Sequence, residues 1–248
     1  MQLDFSGRRA LVTGGTRGIG AAIVDALLGA KCEVIATGTN ARKLGDAQKV
    51  ADSAGKKVRY DVADFSNSGG MELFAEKMGS ERLDVLVNNA GINRLASIGE
   101  LSMKDWDEIV GVNLRAPTAL CRAIAPQMAS RGYGRIVNIG SVFGNVSRSR
   151  RVAYSSSKFG IVGLTRAVSL DYANRNVLSN AVSPGFIDTE LTRGILTPSQ
   201  REELAAATPM GRLGHPDEIA RVVLFLASEA NSYITGQQVI VDGGFTSV

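Results

Sequence analysis

"TGGTRGIG" (residues 13–20) follows the short apolar run "ALVTG" (10–14), and its reading decides the fold. Gly14, Gly18 and Gly20 stand where a strand turns sharply into a helix. Residues without a Cβ let the backbone approach a pyrophosphate. The helix that follows offers unpaired N–H groups and the positive end of its dipole. Three glycines near a turn are common by themselves. The pattern that continues beyond them gives these three their weight.

Outward from that turn, β-rich apolar runs alternate with longer helical stretches. Further strands are read at "EVIAT" (33–37), "KVRYD" (57–61), "DVLVNN" (84–89), "RIVNIG" (135–140), "VLSNAVSPG" (177–185) and "QQVIVDGG" (237–244). Helices are read at Gly18–Gly29, Ala41–Ala54, Gly70–Met78, Trp106–Ala129 and Ala153–Asn174. Strands nearly continuous in Val, Ile and Leu are buried on both faces, which means a parallel sheet covered by helices. The alternation predicts an α/β fold: one Rossmann-type doubly wound parallel sheet of about seven strands, with helices on both faces. No repeat or linker interrupts it, so residues 1–248 read as a single domain. A cofactor half covers about 1–140 and a catalytic and substrate half about 141–248.

Composition narrows the function classes. The 28 basic and 24 acidic residues are spread along the chain and leave a net charge of only +4. That argues against a nucleic-acid binder; the one tight basic cluster is Arg148, Arg150 and Arg151. Cys32 and Cys121 are far apart and suit a reducing compartment better than a disulfide framework or a zinc site. His215 has no second ligand nearby, so a turn or capping role before Pro216 is expected and no metal. Trp106 is expected to pack in the core. No apolar run reaches the ~18 residues of a membrane span, and no signal pattern opens the chain. A soluble cytoplasmic protein is expected.

In such a sheet, ligands bind beyond the carboxyl ends of the strands. The second strand leads into "ATGTNARKLG" (36–45), which has no acidic residue to bind a ribose 2′-hydroxyl. Thr39, Asn40 and Arg42, with Arg17 from the glycine turn, could accept a 2′-phosphate instead. NADP(H) is therefore favoured, with NAD(H) left open. Asp61 could accept from the adenine amino group. Asn88, Asn89, Ala90 and Gly91 fit a backbone passing close to the adenine ribose. Farther on, "YSSSK" (154–158) sets Tyr154 and Lys158 on one helix face with small residues between. A free phenol titrates near ~10, and a nearby cation lowers that value. Ser141 in "NIGS" supplies a hydroxyl to orient a carbonyl, and Asn113 lies in "GVNL".

With these motifs in this order, the chain resembles a short-chain dehydrogenase/reductase over nearly its full length. "SPG" at 183–185, with Thr189 beyond it, completes the match. The resemblance implies that Tyr154 is the general acid in reduction and the base in oxidation. Ser141 would orient the carbonyl, Lys158 would bind the nicotinamide ribose and lower the tyrosine pKa, and Asn113 would anchor a water relay. It implies cofactor contacts from Gly14, Thr16, Arg17, Gly18, Ile19, Gly20, Thr39, Asn40, Asp61, Val62, Asn89, Ala90, Gly91, Tyr154, Lys158, Pro184, Gly185, Ile187 and Thr189. Within the family, "GRIVNIGSV" (134–142), "GRLGHPDEIA" (211–220) and "YITGQQVIVDGG" (233–244) are similar to the 3-oxoacyl-[acyl-carrier-protein] reductases of fatty acid biosynthesis. That branch implies an acyl carrier protein docking on Arg131 and Arg175, and a homotetramer built through the Tyr154 helix and its predecessor. The basic loop "NVSRSRRVAY" (145–154) points another way, to a small anionic substrate such as a sugar acid or a phosphorylated compound.

Overall fold

The computed structural model describes residues 3–247. Strands Arg9–Val12 (β1), Glu33–Gly38 (β2), Val58–Val62 (β3), Val85–Asn88 (β4), Gly134–Ile139 (β5), Val177–Pro184 (β6) and Gln238–Val241 (β7) form one sheet. They run parallel in the order β3-β2-β1-β4-β5-β6-β7. Between them come helices Gly18–Gly29 (α1), Ala41–Ser53 (α2), Ser68–Ser80 (α3), Met103–Val110 (α4), Ala116–Ser130 (α5), Val152–Tyr172 (α6), Glu190–Ile195 (α7), Pro198–Ala206 (α8) and Pro216–Ala227 (α9).

Successive residues of a strand face opposite sides of a sheet, and here both sides are covered. Ala10, Val12, Val34, Ala36, Val85 and Val87 pack against Ile23, Val24 and Leu27 of α1 and Ile219, Val223 and Leu226 of α9. Leu11, Ile35, Leu86 and Ile136 pack on the other side against α3, α5 and Val168 of α6. This two-sided burial is why the runs lack polar alternation. The edge strand β7 stops at Val241, short of the predicted 244. The Asp242 carboxylate accepts the N–H groups of Gly244 and Thr246, and Gly243 and Gly244 turn the chain at positive φ.

The stretch read as one helix from Trp106 begins earlier and carries a defect. Ser102 caps α4, its Oγ accepting the Asp105 N–H at 3.0 Å, and Trp106 is half-buried rather than in the core. Between α4 and α5, residues Gly111–Arg115 widen into a π turn centred on Asn113. Pro117 has no N–H to give the Asn113 carbonyl four residues back, so a regular α-helix could not satisfy that oxygen.

Chain order reverses beside β1: β2 and β3 lie to one side, β4 to β7 to the other. The crevice at the carboxyl ends of β1 and β4 is thus a topological switch point. The turn from β1 to α1 fills its base, with Gly14 at φ 63° and Gly18 at φ 53°. At Gly20 the limit is space. A Cβ there would overlap the Gly14 carbonyl oxygen and lie 2.5 Å from Asn89 Nδ2. Gly20→Ala is therefore expected to push the turn open. A loss of about 1–3 kcal/mol in urea unfolding should accompany weaker NADPH binding by fluorescence titration. A variant as stable as the parent would show that the turn has slack.

Candidate active site

The crevice has a volume of about 530 Å³. One wall is the glycine turn, with Gly14, Thr16, Arg17, Gly18, Ile19 and Gly20 all lining it. Arg17, the N-cap residue of α1, makes no side-chain cap, and the first turn of α1 carries no acid. Its N–H groups are left for an anion at the positive end of the helix dipole. Asn89, Ala90 and Gly91 form the floor after β4, and Pro184, Gly185, Ile187 and Thr189 the wall after β6. Thr189 caps α7, accepting the Thr192 N–H at 3.2 Å, and its side chain faces Gly18 across the opening.

Thr13 holds the base together, a role that sequence reading missed. Its hydroxyl oxygen accepts the N–H groups of Asn89 at 2.9 Å and Ala90 at 3.0 Å. Asn89 Nδ2 returns hydrogen bonds to the carbonyls of Thr13 and Gly14. The signal was present: a small hydroxyl closing a buried strand just before the first glycine.

At the 2′-phosphate end, Thr39 lines the crevice, and Arg17 projects into it while pairing with Glu190 at 3.8 Å. Asn40 lies outside the lining. Its side chain caps α2 by accepting the Lys43 N–H at 3.0 Å, and Arg42 sits exposed in the first turn beside it. Asp61 and Val62, expected near the adenine, also lie outside the lining. Arg59 (3.2 Å) and Lys77 (2.9 Å) hold the Asp61 carboxylate, and the Val62 side chain is exposed. Ala63, Asp64, Phe65 and Ser66 line the crevice there instead. Both Ser66 donors fix the Asp64 carboxylate and hold it below the usual carboxylate range.

The four expected catalytic residues converge. Ser141 follows β5, and its Oγ accepts the Phe143 N–H at 3.1 Å. The first turn of α6 carries Tyr154, packed edge-on against Phe143 at 6.4 Å between ring centres. Lys158, one turn on, is buried and donates from Nζ to the Ile139 carbonyl at 2.7 Å. Asn113 lies behind the crevice wall. Its amide brackets Ile92, accepting from its N–H and donating to its carbonyl, and donates to Ser157 Oγ of α6 at 3.1 Å. A Cβ placed on Gly91 would sit 3.5 Å from Asn113 Oδ1 and 3.8 Å from Lys158 Nζ, so the two meet at the floor.

The electrostatics differ from expectation. Burial raises the Tyr154 phenol above its ordinary value. A hydrogen bond with Ser141 and the nearby Arg151 guanidinium pull it back down. Lys158 was the expected source of that lowering. Its ammonium is instead turned toward the end of β5, 5.7 Å from the Tyr154 ring centre, and burial pushes it down to about 8.

Arg131 and Arg175 are not at the cleft mouth of this chain. Arg131 ends α5 and donates to the Leu83 carbonyl, while Arg175 lies over Tyr172. Both precede strands, at the amino ends of β5 and β6, whereas the crevice opens at the carboxyl ends. Most of α6, from Ser155 to Tyr172, lies between Tyr154 and Arg175 and sets them about 30 Å apart. His215 stands at the start of α9, its N–H donating to Glu218 at 2.7 Å.

A family model described as enoyl-(acyl carrier protein) reductase matches residues 14–246, glycine turn and α6 included. The chain belongs to the short-chain dehydrogenase/reductase family. It is 39% identical over 247 residues to the 3-oxoacyl-[acyl-carrier-protein] reductase of Aquifex aeolicus, covering 98% of this chain and 99% of that one. It is 36% identical to the gluconate 5-dehydrogenase of Gluconobacter oxydans, covering 98% and 96%. Among solved members of the family, a gluconate 5-dehydrogenase from Burkholderia cenocepacia in complex with NADP and tartrate superposes with a TM-score of 0.92. It is 32% identical and is covered to 98% by the whole of this chain.

Burial of Lys158 makes a testable cost. Its proton is bound more weakly in the folded chain than in the unfolded one, so its charge destabilises the fold at pH 7. That penalty fades as pH rises from about 8 toward 10.5. Lys158→Met should therefore raise the Tm of the cofactor-free protein at pH 7 by roughly 5 °C, while turnover and NADPH binding fall together. The Tm advantage should shrink above pH 8. A variant less stable than the parent at pH 7 would contradict the assignment.

Proposed function

We propose that this short-chain dehydrogenase/reductase is an NADP(H)-dependent oxidoreductase acting between a ketone and a secondary alcohol on a small, free substrate. The observation that carries the reading is the convergence of Ser141, Tyr154 and Lys158 on the crevice formed by the glycine turn. Bound NADP(H) supplies or accepts the hydride. In the reducing direction, Ser141 holds the substrate carbonyl and Tyr154 gives its proton to the nascent alkoxide oxygen. Lys158 binds the nicotinamide ribose from the crevice floor. The Asn113 carbonyl, which Pro117 leaves without its α-helical donor, offers an acceptor for a water relay that returns a proton toward Tyr154. Thr39 and Arg17, with no acid at the end of β2, favour a 2′-phosphate over a bare ribose. The NADP in the Burkholderia relative supports that preference.

A 3-oxoacyl-[acyl-carrier-protein] reductase is the second reading, favoured by the likeness to the Aquifex enzyme. Against it stands the position of Arg131 and Arg175 at the amino ends of β5 and β6, with Arg175 about 30 Å from Tyr154 along α6. A homotetramer remains our expectation: α6 exposes Phe159 and Leu170, which suits a helix interface between copies.

Two measurements test these proposals. Tyr154→Phe keeps the ring but removes the transferable proton. Its kcat should fall by ~10²–10⁴-fold, with NADPH affinity little changed. Near-normal turnover would place the proton donor elsewhere. Turnover of free oxo acids and keto-sugars above that of β-ketoacyl thioesters would support a small substrate, and the reverse order would favour the carrier.

A further inference from the structure

A second cavity of about 640 Å³ adjoins the catalytic residues. Phe143 lines it and packs edge-on against Tyr154, so one aromatic ring connects the cavity to the phenol. Leu95, Leu196 and Phe245 contribute apolar wall. The charge in the lining is one-sided. Among the described residues it holds Arg148, Arg150 and Arg151 against a single acid, Glu203.

The three arginines are not equivalent. Arg148 and Arg150 are exposed, and Arg150 pairs with Glu100 at 2.9 Å. Arg151 is half-buried, with its guanidinium 5.2 Å from the Phe143 ring centre. Tyr154 and Arg148 are the charged or titratable groups that act on it, and no acid is among them. Its backbone is fixed on both sides. Arg150 adopts φ 64°, a left-handed conformation uncommon outside glycine, and its carbonyl accepts the Ala96 N–H. Arg151 forms a β-bridge with Ala96, and its own carbonyl accepts the Ser155 N–H at 2.7 Å to begin α6. A hydrogen bond between the Ser147 and Ser155 hydroxyls, 2.8 Å apart, anchors the loop to the helix. The chain thus holds a half-buried cation without an acidic partner, one helical turn before its proton donor, in the wall of a cavity that also carries Arg148, Arg150 and Glu203 among apolar side chains.

We propose that Arg151 is the specificity-determining residue, binding the carboxylate of an oxo-acid or hydroxy-acid substrate whose reacting carbon sits at Tyr154. This rests on the ketone–alcohol reading given above and names its substrate class. A guanidinium presents a planar fork that matches a carboxylate, and the partial burial here strengthens the pair. The guanidinium lies 5.2 Å from the Phe143 ring centre, and that ring centre lies 6.4 Å from the Tyr154 ring centre. The carboxylate therefore lies a few carbons from the reacting carbon. A carrier-bound thioester has no charge at that distance and would leave Arg151 unanswered.

The test uses 3-oxobutanoate, 4-oxopentanoate and 5-oxohexanoate, each beside its methyl ester, with NADPH oxidation as the signal. Wild type should prefer at least one acid over its ester by tenfold or more in kcat/KM. Arg151→Gln should cut that acid-to-ester ratio at least tenfold, mainly through KM for the acid, and Arg151→Lys should restore part of it. The ratio cancels any effect of Arg151 on the phenol, which acts on acid and ester alike, and a thermal melt monitors folding. A wild type that reduces the esters as well as the acids overturns the role of Arg151 but leaves the ketone–alcohol reading intact. An unchanged ratio in Arg151→Gln does the same. Failure to reduce any acid or ester, with β-ketoacyl thioesters turned over, overturns both the role of Arg151 and the small, free substrate of the reading it rests on.

Discussion

One hydroxyl closes the base of the crevice. Where β1 and β4 end side by side, the chain must turn away in two directions, leaving the N–H groups of Asn89 and Ala90 without ladder partners. Thr13 Oγ accepts both, and Asn89 answers with its amide to the Thr13 and Gly14 carbonyls. Buried backbone donors left unpaired would cost about 1–3 kcal/mol each. The latch thus fixes the spacing between the glycine turn and the β4 floor. Gly20 has no room for a Cβ because the Gly14 carbonyl and the Asn89 amide, joined in the same latch, both lie against it.

A second buried chain ties that floor to the catalytic helix. Asn88 at the end of β4 donates to Asn138 of β5 at 2.7 Å, and Asn138 donates to Thr165 of α6 at 2.9 Å. Asn113 adds a parallel tie from Ile92 to Ser157. α6 is therefore held by polar contacts at two levels, while its apolar face packs against the sheet and α5. Networks of this kind give orientation more than net stability. Orientation is what Tyr154 and Lys158 require, since one must meet substrate while the other reaches the crevice floor.

Much of this was legible in the sequence. The sheet was readable because strands buried on both faces cannot alternate, and the glycine turn because only a missing Cβ permits it. The Tyr154–Lys158 pair was legible from helical spacing. Other features were hidden in contacts between distant residues. Asp61 read as an acceptor for the adenine amino group, and its ion pairs with Arg59, two positions earlier on the same strand face, and Lys77 of α3 were not visible. Arg131 and Arg175 resembled docking residues in type, but helix direction puts them at the far ends of the strands. That much could have been deduced from α6 beginning at the site. The π turn had a readable cue in Asn113 and Pro117, four apart. The Arg151 environment had none, because its burial depends on Phe143 and on a bridge to Ala96 more than fifty positions away.

The account stands or falls on the crevice as a dinucleotide site held open by the latch. Thr13→Val keeps the shape of the side chain and removes the acceptor for both N–H groups. NADPH binding by wild type and variant, measured by fluorescence titration alongside a thermal melt, tests this most directly. The account predicts tight binding to wild type and at least tenfold weaker binding to a variant that remains folded. Equal affinity in the two proteins, or a wild type that does not bind NADPH, would contradict it.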